Sequence, residues 1–182
     1  QSGTGRIRSY YNYLLTTPLV GESLSGLGDR FLLENEVAKP GYYGGRFAET
    51  GVDFEITCTP RAAVHRYHFP DEKTGNVAID FSSGGLLIEG MSVYPKKARL
   101  EQVSPKLYRG RVRIEGVSVY FFVEVTTPIA QSGFWKRDGA IVTARREYSL
   151  KKRLKSDKGK FGIWFEAETP GQSIELRIGF ST

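Results

Sequence analysis

Apolar side chains recur at every second position through most of this chain. Val52, Phe54, Ile56 and Cys58 alternate with Asp53, Glu55, Thr57 and Thr59. Val117, Val119, Phe121, Val123 and Val125 form the longest series, Phe161, Ile163, Phe165 and Ala167 another, and Ile174, Leu176, Ile178 and Phe180 the last. Successive side chains of a strand point to opposite faces, so a strand with one buried face selects every second residue. Further strands are predicted over Tyr10–Thr16, Ala62–Phe69, Val77–Phe81, Leu86–Tyr94, Leu107–Ile114 and Ala140–Glu147. Between them stand turn formers: Gly44-Gly45, Asp71 to Asn76, Ser82 to Gly85, Asp138-Gly139, Asp157 to Gly159 and Pro170-Gly171. Glycine, Asn and Asp accept the positive φ of tight hairpins. With no amphipathic run of helical length, about 10 residues or more, the pattern predicts an all-β fold, an antiparallel two-sheet sandwich.

Size and composition agree with a folded domain. The 182 residues suit one domain with a sizeable core, and 40% hydrophobic with 13% aromatic content excludes a disordered segment. No apolar run approaches the ~20 residues needed to span a bilayer. The chain opens at Gln1 without a basic, apolar leader, which reads as a processed or partial chain. The one cysteine, Cys58, excludes an internal disulfide and lies in phase with the Val52–Ile56 series, which predicts a small core residue.

Charge is concentrated. From Arg145 to Lys160 eight bases stand against two acids, an excess equal to the formal net charge of +6 for the whole chain. Such a cluster can neutralise phosphates or sulfated polymers, or it can be a solvated hairpin. No aromatic residue is interleaved from Lys151 to Lys160 to stack on bases, which argues against nucleic acid.

Candidate chemistry is sparse. Acid–base hydrolysis needs two separated carboxyls, one as acid and one as base. Glu34 and Glu36, Asp53 and Glu55, and Asp71 and Glu72 carry no mark of such a pair and read as solvated carboxylates. His65 and His68 fall on opposite faces of one strand, so they do not share a metal; His65 shares its face with Ala63, Tyr67 and Phe69 and reads as a core histidine. Tyr42, Tyr43, Trp135 and Trp164 are candidate sugar-stacking platforms or interface residues, because flat rings match the apolar faces of pyranoses. Trp164 falls out of phase with Ile163 and Phe165, on the other sheet surface.

Several motifs stand in a recognisable order. They are Ser2-Gly3-Thr4-Gly5 before Tyr13-Leu14-Leu15 and Pro18; Leu33-Glu34-Asn35-Glu36; Pro40-Gly41-Tyr42-Tyr43; and Val64 to Pro70, which contains His65-Arg66-Tyr67 and ends in Phe69-Pro70. Tyr120 to Val125, Pro128, Gly133-Phe134-Trp135 and Ile178 to Thr182 follow. From end to end the chain resembles the N-terminal β-sandwich domain of the family 92 glycoside hydrolases, the calcium-dependent inverting exo-α-mannosidases. The resemblance implies a supersandwich like that of galactose mutarotase over residues 1–182, joined to a helical C-terminal catalytic domain that holds the general acid, the general base and the calcium. It implies a mannose-containing glycan as substrate, α-1,2-linked in mannose-rich glycans, a periplasmic or secreted setting, and no activity for this chain alone. Ser2, Gly3, Thr4 and Gly5 match the loop that reaches across the domain interface to the substrate, and Arg6 directly after them is a further substrate-binding candidate. Here Arg6-Ile7-Arg8 stands where the family commonly has small or acidic residues, and Asn12 where an Asp is usual; an arginine fork suits a phosphorylated or otherwise anionic glycan. Two alternatives stay open: a stand-alone carbohydrate-binding module, and a polyanion-binding module using the 145–160 cluster.

Overall fold

The computed structural model describes residues 14–21, 24, 26–27, 29–82, 94–114, 116–136, 140–142, 145–152 and 160–182. Among them there is no helix, and so none long and apolar enough to cross a membrane. In chain order the strands are β1 (Leu15–Val20), β2 (Leu33–Lys39), β3 (Tyr42–Phe47), β4 (Asp53–Cys58), β5 (Ala62–His68), β6 (Gly75–Asp80) and β7 (Lys97–Ser104). They continue as β8 (Leu107–Ile114), β9 (Val117–Val125), β10 (Ile129–Lys136), β11 (Ala140–Val142), β12 (Glu147–Leu150), β13 (Phe161–Ala167) and β14 (Ile174–Ser181). All pairings are antiparallel. One sheet runs β1-β6-β13-β10-β11, and the other runs β12-β7-β8-β9-β14-β5-β4-β3-β2. The expected all-β, two-sheet sandwich is present.

The core lies where the inner faces meet. Val77, Ile79, Phe134, Phe161, Ile163 and Phe165 of the five-stranded sheet pack against Leu100, Tyr108, Val112, Phe121, Val123, Leu176 and Ile178 of the nine-stranded one. Aromatic contacts stitch the sheets: Tyr108 meets Phe134 and Phe165 edge-on at 5.6 and 5.4 Å, and Tyr148 stacks on Phe161 at 4.7 Å. Full burial of one such side chain contributes about 1.5–3 kcal/mol.

Several expectations move. The strand predicted at Tyr10–Thr16 begins at Leu15 and continues through Pro18, while residues 10–13 lie outside the described part. Proline is tolerated there because, among the described residues, β1 is the edge of its sheet, with only β6 beside it. Gly44-Gly45 is not a turn but the middle of β3. A Cβ on Gly45 would come within 3.1 Å of the Phe54 ring, and one on Gly44 within 2.8 Å of the Tyr42 hydroxyl, so these glycines make room for rings beside the strand. Ala140–Glu147 is two strands in different sheets, β11 pairing with β10 and β12 with β7. Of the strand predicted at Leu86–Tyr94, residues 86–93 lie outside the described part, and Tyr94 belongs to no strand.

Cys58 is exposed rather than a core residue. The nine-stranded sheet outreaches its five-stranded partner, and the β2–β4 end overhangs: every residue of β2 is exposed, with Leu33 and Val37 among the exposed apolar side chains. The alternation of β4 is real, but by Cys58 the strand has run past the sheet that would cover it.

Candidate functional site

Ser2, Gly3, Thr4, Gly5 and Arg6 lie outside the described residues, as does Arg8. The remaining candidates fall on three separate surfaces.

The outer face of the nine-stranded sheet carries the titratable groups. Tyr42 of β3 donates its hydroxyl to Glu55 Oε1 at 3.2 Å, and His68 Nε2 lies 3.4 Å from Glu55 Oε2. His68 Nδ1 reaches Ser173 Oγ at 2.8 Å. Arg66 sits between two carboxylates, its Nη2 2.6 Å from Glu175 Oε2 and its Nη1 3.8 Å from Glu55 Oε2. His68 above all, with Tyr42 and Arg66, holds Glu55 below the usual carboxylate range; Arg66 and the Thr126 hydroxyl do the same for Glu175. Both stay ionised. Neither suits the role of general acid, which must carry a proton near the working pH. Tyr43, the next residue, points inward: its ring packs 5.3 Å from Phe54 and its hydroxyl donates to Glu36, which pushes its pKa to about 12. The two tyrosines thus occupy opposite faces and do not form one stacking platform.

His65 faces inward, as its phase predicts. Its Nδ1 lies 3.0 Å from the Tyr67 hydroxyl and 3.3 Å from Thr16 Oγ1, and burial pulls its pKa down to about 4. The ring is therefore neutral at physiological pH. His65 and His68 are separated by the sheet itself. Among the described residues no three His, Cys, Asp or Glu side chains converge to hold a metal ion, so calcium is not assigned to them.

Trp135 and Trp164 occupy the outer face of the five-stranded sheet, but both are buried to 2% exposure with Leu19, Leu24 and Ala78. They are therefore not stacking platforms open to solvent, which corrects the sequence expectation. Trp135 Nε1 donates to the Ile163 carbonyl at 3.1 Å, whereas the buried Trp164 Nε1 has no hydrogen-bond partner among the described residues. The signal for this second buried face was present in the sequence. Val77-Ala78-Ile79 and Ile163-Trp164-Phe165 are continuous apolar runs, the mark of strands covered on both sides, rather than alternating ones.

Sequence reasoning also missed the exposed aromatics and the basic corner of the larger sheet. Tyr120 and Phe122 of β9 stand 48% and 46% exposed on its outer face. Beside them Arg109, Arg111 and Arg113 of β8 and Lys97 and Arg99 of β7 also point outward. The period-two run Arg109-x-Arg111-x-Arg113 is the sequence signal for it. Of the 145–160 cluster, Arg145, Arg146, Lys151 and Lys152 are exposed, and 153–159 lie outside the described residues.

Known structures share this fold. The family GH92 inverting mannosidase BT2199 from Bacteroides thetaiotaomicron superposes with a TM-score of 0.68 at 19% identity, covering 92% of this chain and 21% of that one. The family GH92 alpha-mannosidase BT3965 of the same organism gives 0.68 at 18% identity, with 92% and 24% covered. The gh92 family glycosyl hydrolase ccman5 gives 0.64 at 18%, with 92% and 23% covered. The present chain thus spans less than a quarter of the length of these structures. A comparison with curated proteins finds no match. What the superpositions fix as fold, the sequence fixes as kinship: the model of the glycosyl hydrolase family 92 N-terminal domain matches residues 1–181, and the chain belongs to that family.

Proposed function

We propose that this chain is the N-terminal sandwich of an exo-acting α-mannosidase for mannose-containing glycans, working with a helical catalytic domain that follows it in the same polypeptide. The observation that carries this reading is the family match over residues 1–181, in a chain that covers less than a quarter of the mannosidases that share its fold. In this reading the general acid, general base and calcium belong to the partner domain, and Ser2 to Arg6 reach the sugar from this one. Two features of the chain support that division. Glu55 and Glu175 on its outer face are ion-paired and held ionised, and its two tryptophans are buried within the sandwich. The finer assignments, α-1,2 linkage and action in the periplasm or outside the cell, extend the same reading.

Assay of the isolated chain and of the full-length polypeptide on an α-1,2-mannobiose, with calcium and with a chelator, tests the proposal. The full-length protein is expected to hydrolyse the disaccharide with inversion, dependent on calcium, and the isolated chain to show no turnover. Turnover by the isolated chain at a rate comparable to the full-length protein would overturn it.

A further inference from the structure

The outer face of the nine-stranded sheet follows two different charge rules. From β3 to β9 opposite signs are neighbours: Arg46 lies opposite Asp53, Arg66 between Glu55 and Glu175, and Arg177 opposite Glu124. At the other corner like charges are paired: Lys97 lies opposite Arg113, and Arg99 opposite Arg111. Lys151 extends the first row, since Leu150 just before it pairs with Ala98. Like charges placed directly opposite destabilise a sheet, so this arrangement works against the fold that contains it. Compensation is partial. Arg99 binds Glu147 at 3.0 Å and Arg109 binds Glu101 at 3.1 Å, whereas Lys97, Arg113 and Lys151 meet no carboxylate among the described residues.

The corner is also shaped. Lys97, Arg99, Arg111, Ser149 and Lys151 line a shallow groove of about 240 Å³. Strands ~4.8 Å apart, with same-face residues ~6.8 Å apart along each, set these side chains at the separation at which several can address one oxyanion. Along one side Arg111 lies over the Tyr120 ring, 5.9 Å from its centroid, and Phe122 continues the exposed aromatic edge.

We infer that this corner binds a sulfated or phosphorylated sugar chain, its oxyanions seated among Lys97, Arg111, Arg113 and Lys151 and a pyranose face resting on Tyr120. Cations for the ester groups and a flat ring for the sugar are the two chemistries such a ligand needs. A single-stranded nucleic acid needs stacking surfaces repeated along its track, and here the aromatics flank one side only. The choice of a sugar as carrier rests on the glycan reading above; the presence of an anion site does not.

Calorimetry of the protein with a heparin-derived hexasaccharide, its desulfated counterpart, inorganic sulfate, inorganic phosphate and oligothymidylate, each at two salt concentrations, tests the assignment. The sulfated hexasaccharide is expected to bind at least about tenfold more tightly than the desulfated sugar or either free anion, and less tightly as salt rises. Lys97→Gln with Arg113→Gln should weaken it about tenfold, Tyr120→Ser should weaken the sugar but not the free anions, and Lys39→Gln on β2 should change nothing. The double variant relieves a like-charge pair, so its thermal midpoint should not fall; Lys97→Gln alone gives the same direction should the double variant fail to fold. No binding, or an equal loss with Lys39→Gln, would overturn the site. Oligothymidylate or inorganic sulfate binding as tightly as the hexasaccharide would overturn the sugar assignment while leaving the mannosidase reading intact.

Discussion

The imidazole of His65, held between Tyr67 and Thr16, is a neutral group in a place that does not admit its charge. Its pKa falls from 6.5 to about 4 because burial penalises the imidazolium. The unfolded chain therefore binds a proton that the folded chain refuses, and stability, complete above pH 6.5, declines as the pH falls toward 4. Between pH 7.5 and pH 5 this linkage amounts to about 2 kcal/mol. Urea midpoints at those two pH values should show that loss in the native chain and much less of it in His65→Gln, whose amide can still meet the Tyr67 hydroxyl. Glu55 and Glu175, depressed below their ordinary 4.5, lose their contribution only at lower pH and do not blur the comparison. The inward face of His65 was legible from its phase with Ala63, Tyr67 and Phe69. The fate of Cys58 was not, because phase tells which face a side chain takes and not whether a second sheet lies over it.

Elements show where local pattern stops being enough. β13, the middle strand of the smaller sheet, is buried on both faces, and Gly162 within it sits beneath the Trp135 indole. A Cβ there would fall 1.8 Å from the Ile79 carbonyl oxygen and 2.5 Å from Trp135 Nε1, and a backbone atom in a central strand cannot step aside. Gly162→Ala is expected to cost about 3 kcal/mol or more, read as a lowered urea midpoint, whereas Gly116→Ala, with open space around it, should lose far less and only through its positive φ. Seen in one dimension, Gly44-Gly45 and Gly162 look like breaks. In the sheet they are the small partners of large neighbours. Pro18 likewise was readable as a strand residue only once β1 was known to be an edge.

At the scale of the whole molecule, strand partnership decides both stability and surface. β6 and β13 are themselves buried on both faces, while β2 ends the overhang with all seven residues exposed. Its ladder to β3 is further interrupted by a register shift between Glu34 and Val37, where Asn35 adopts φ 52°. Amide exchange should grade accordingly, with β2 exchanging about 100-fold or more faster than β6 and β13; uniform protection across both sheets would contradict the overhang. The basic corner is another product of partnership. Lys97, Arg113 and Lys151 are scattered in sequence, and only the order β12-β7-β8 gathers them, which is why counting charges from 145 to 160 found the excess but not the groove.

The overhang also gives the chain a chemical singularity. Its sole sulfhydryl projects from the end of β4 into solvent, remote in strand order from the cationic groove at the opposite edge. A maleimide-borne fluorophore or spin label therefore has one attachment point, at the margin rather than the middle of the sandwich, and needs no engineered mutation to find it.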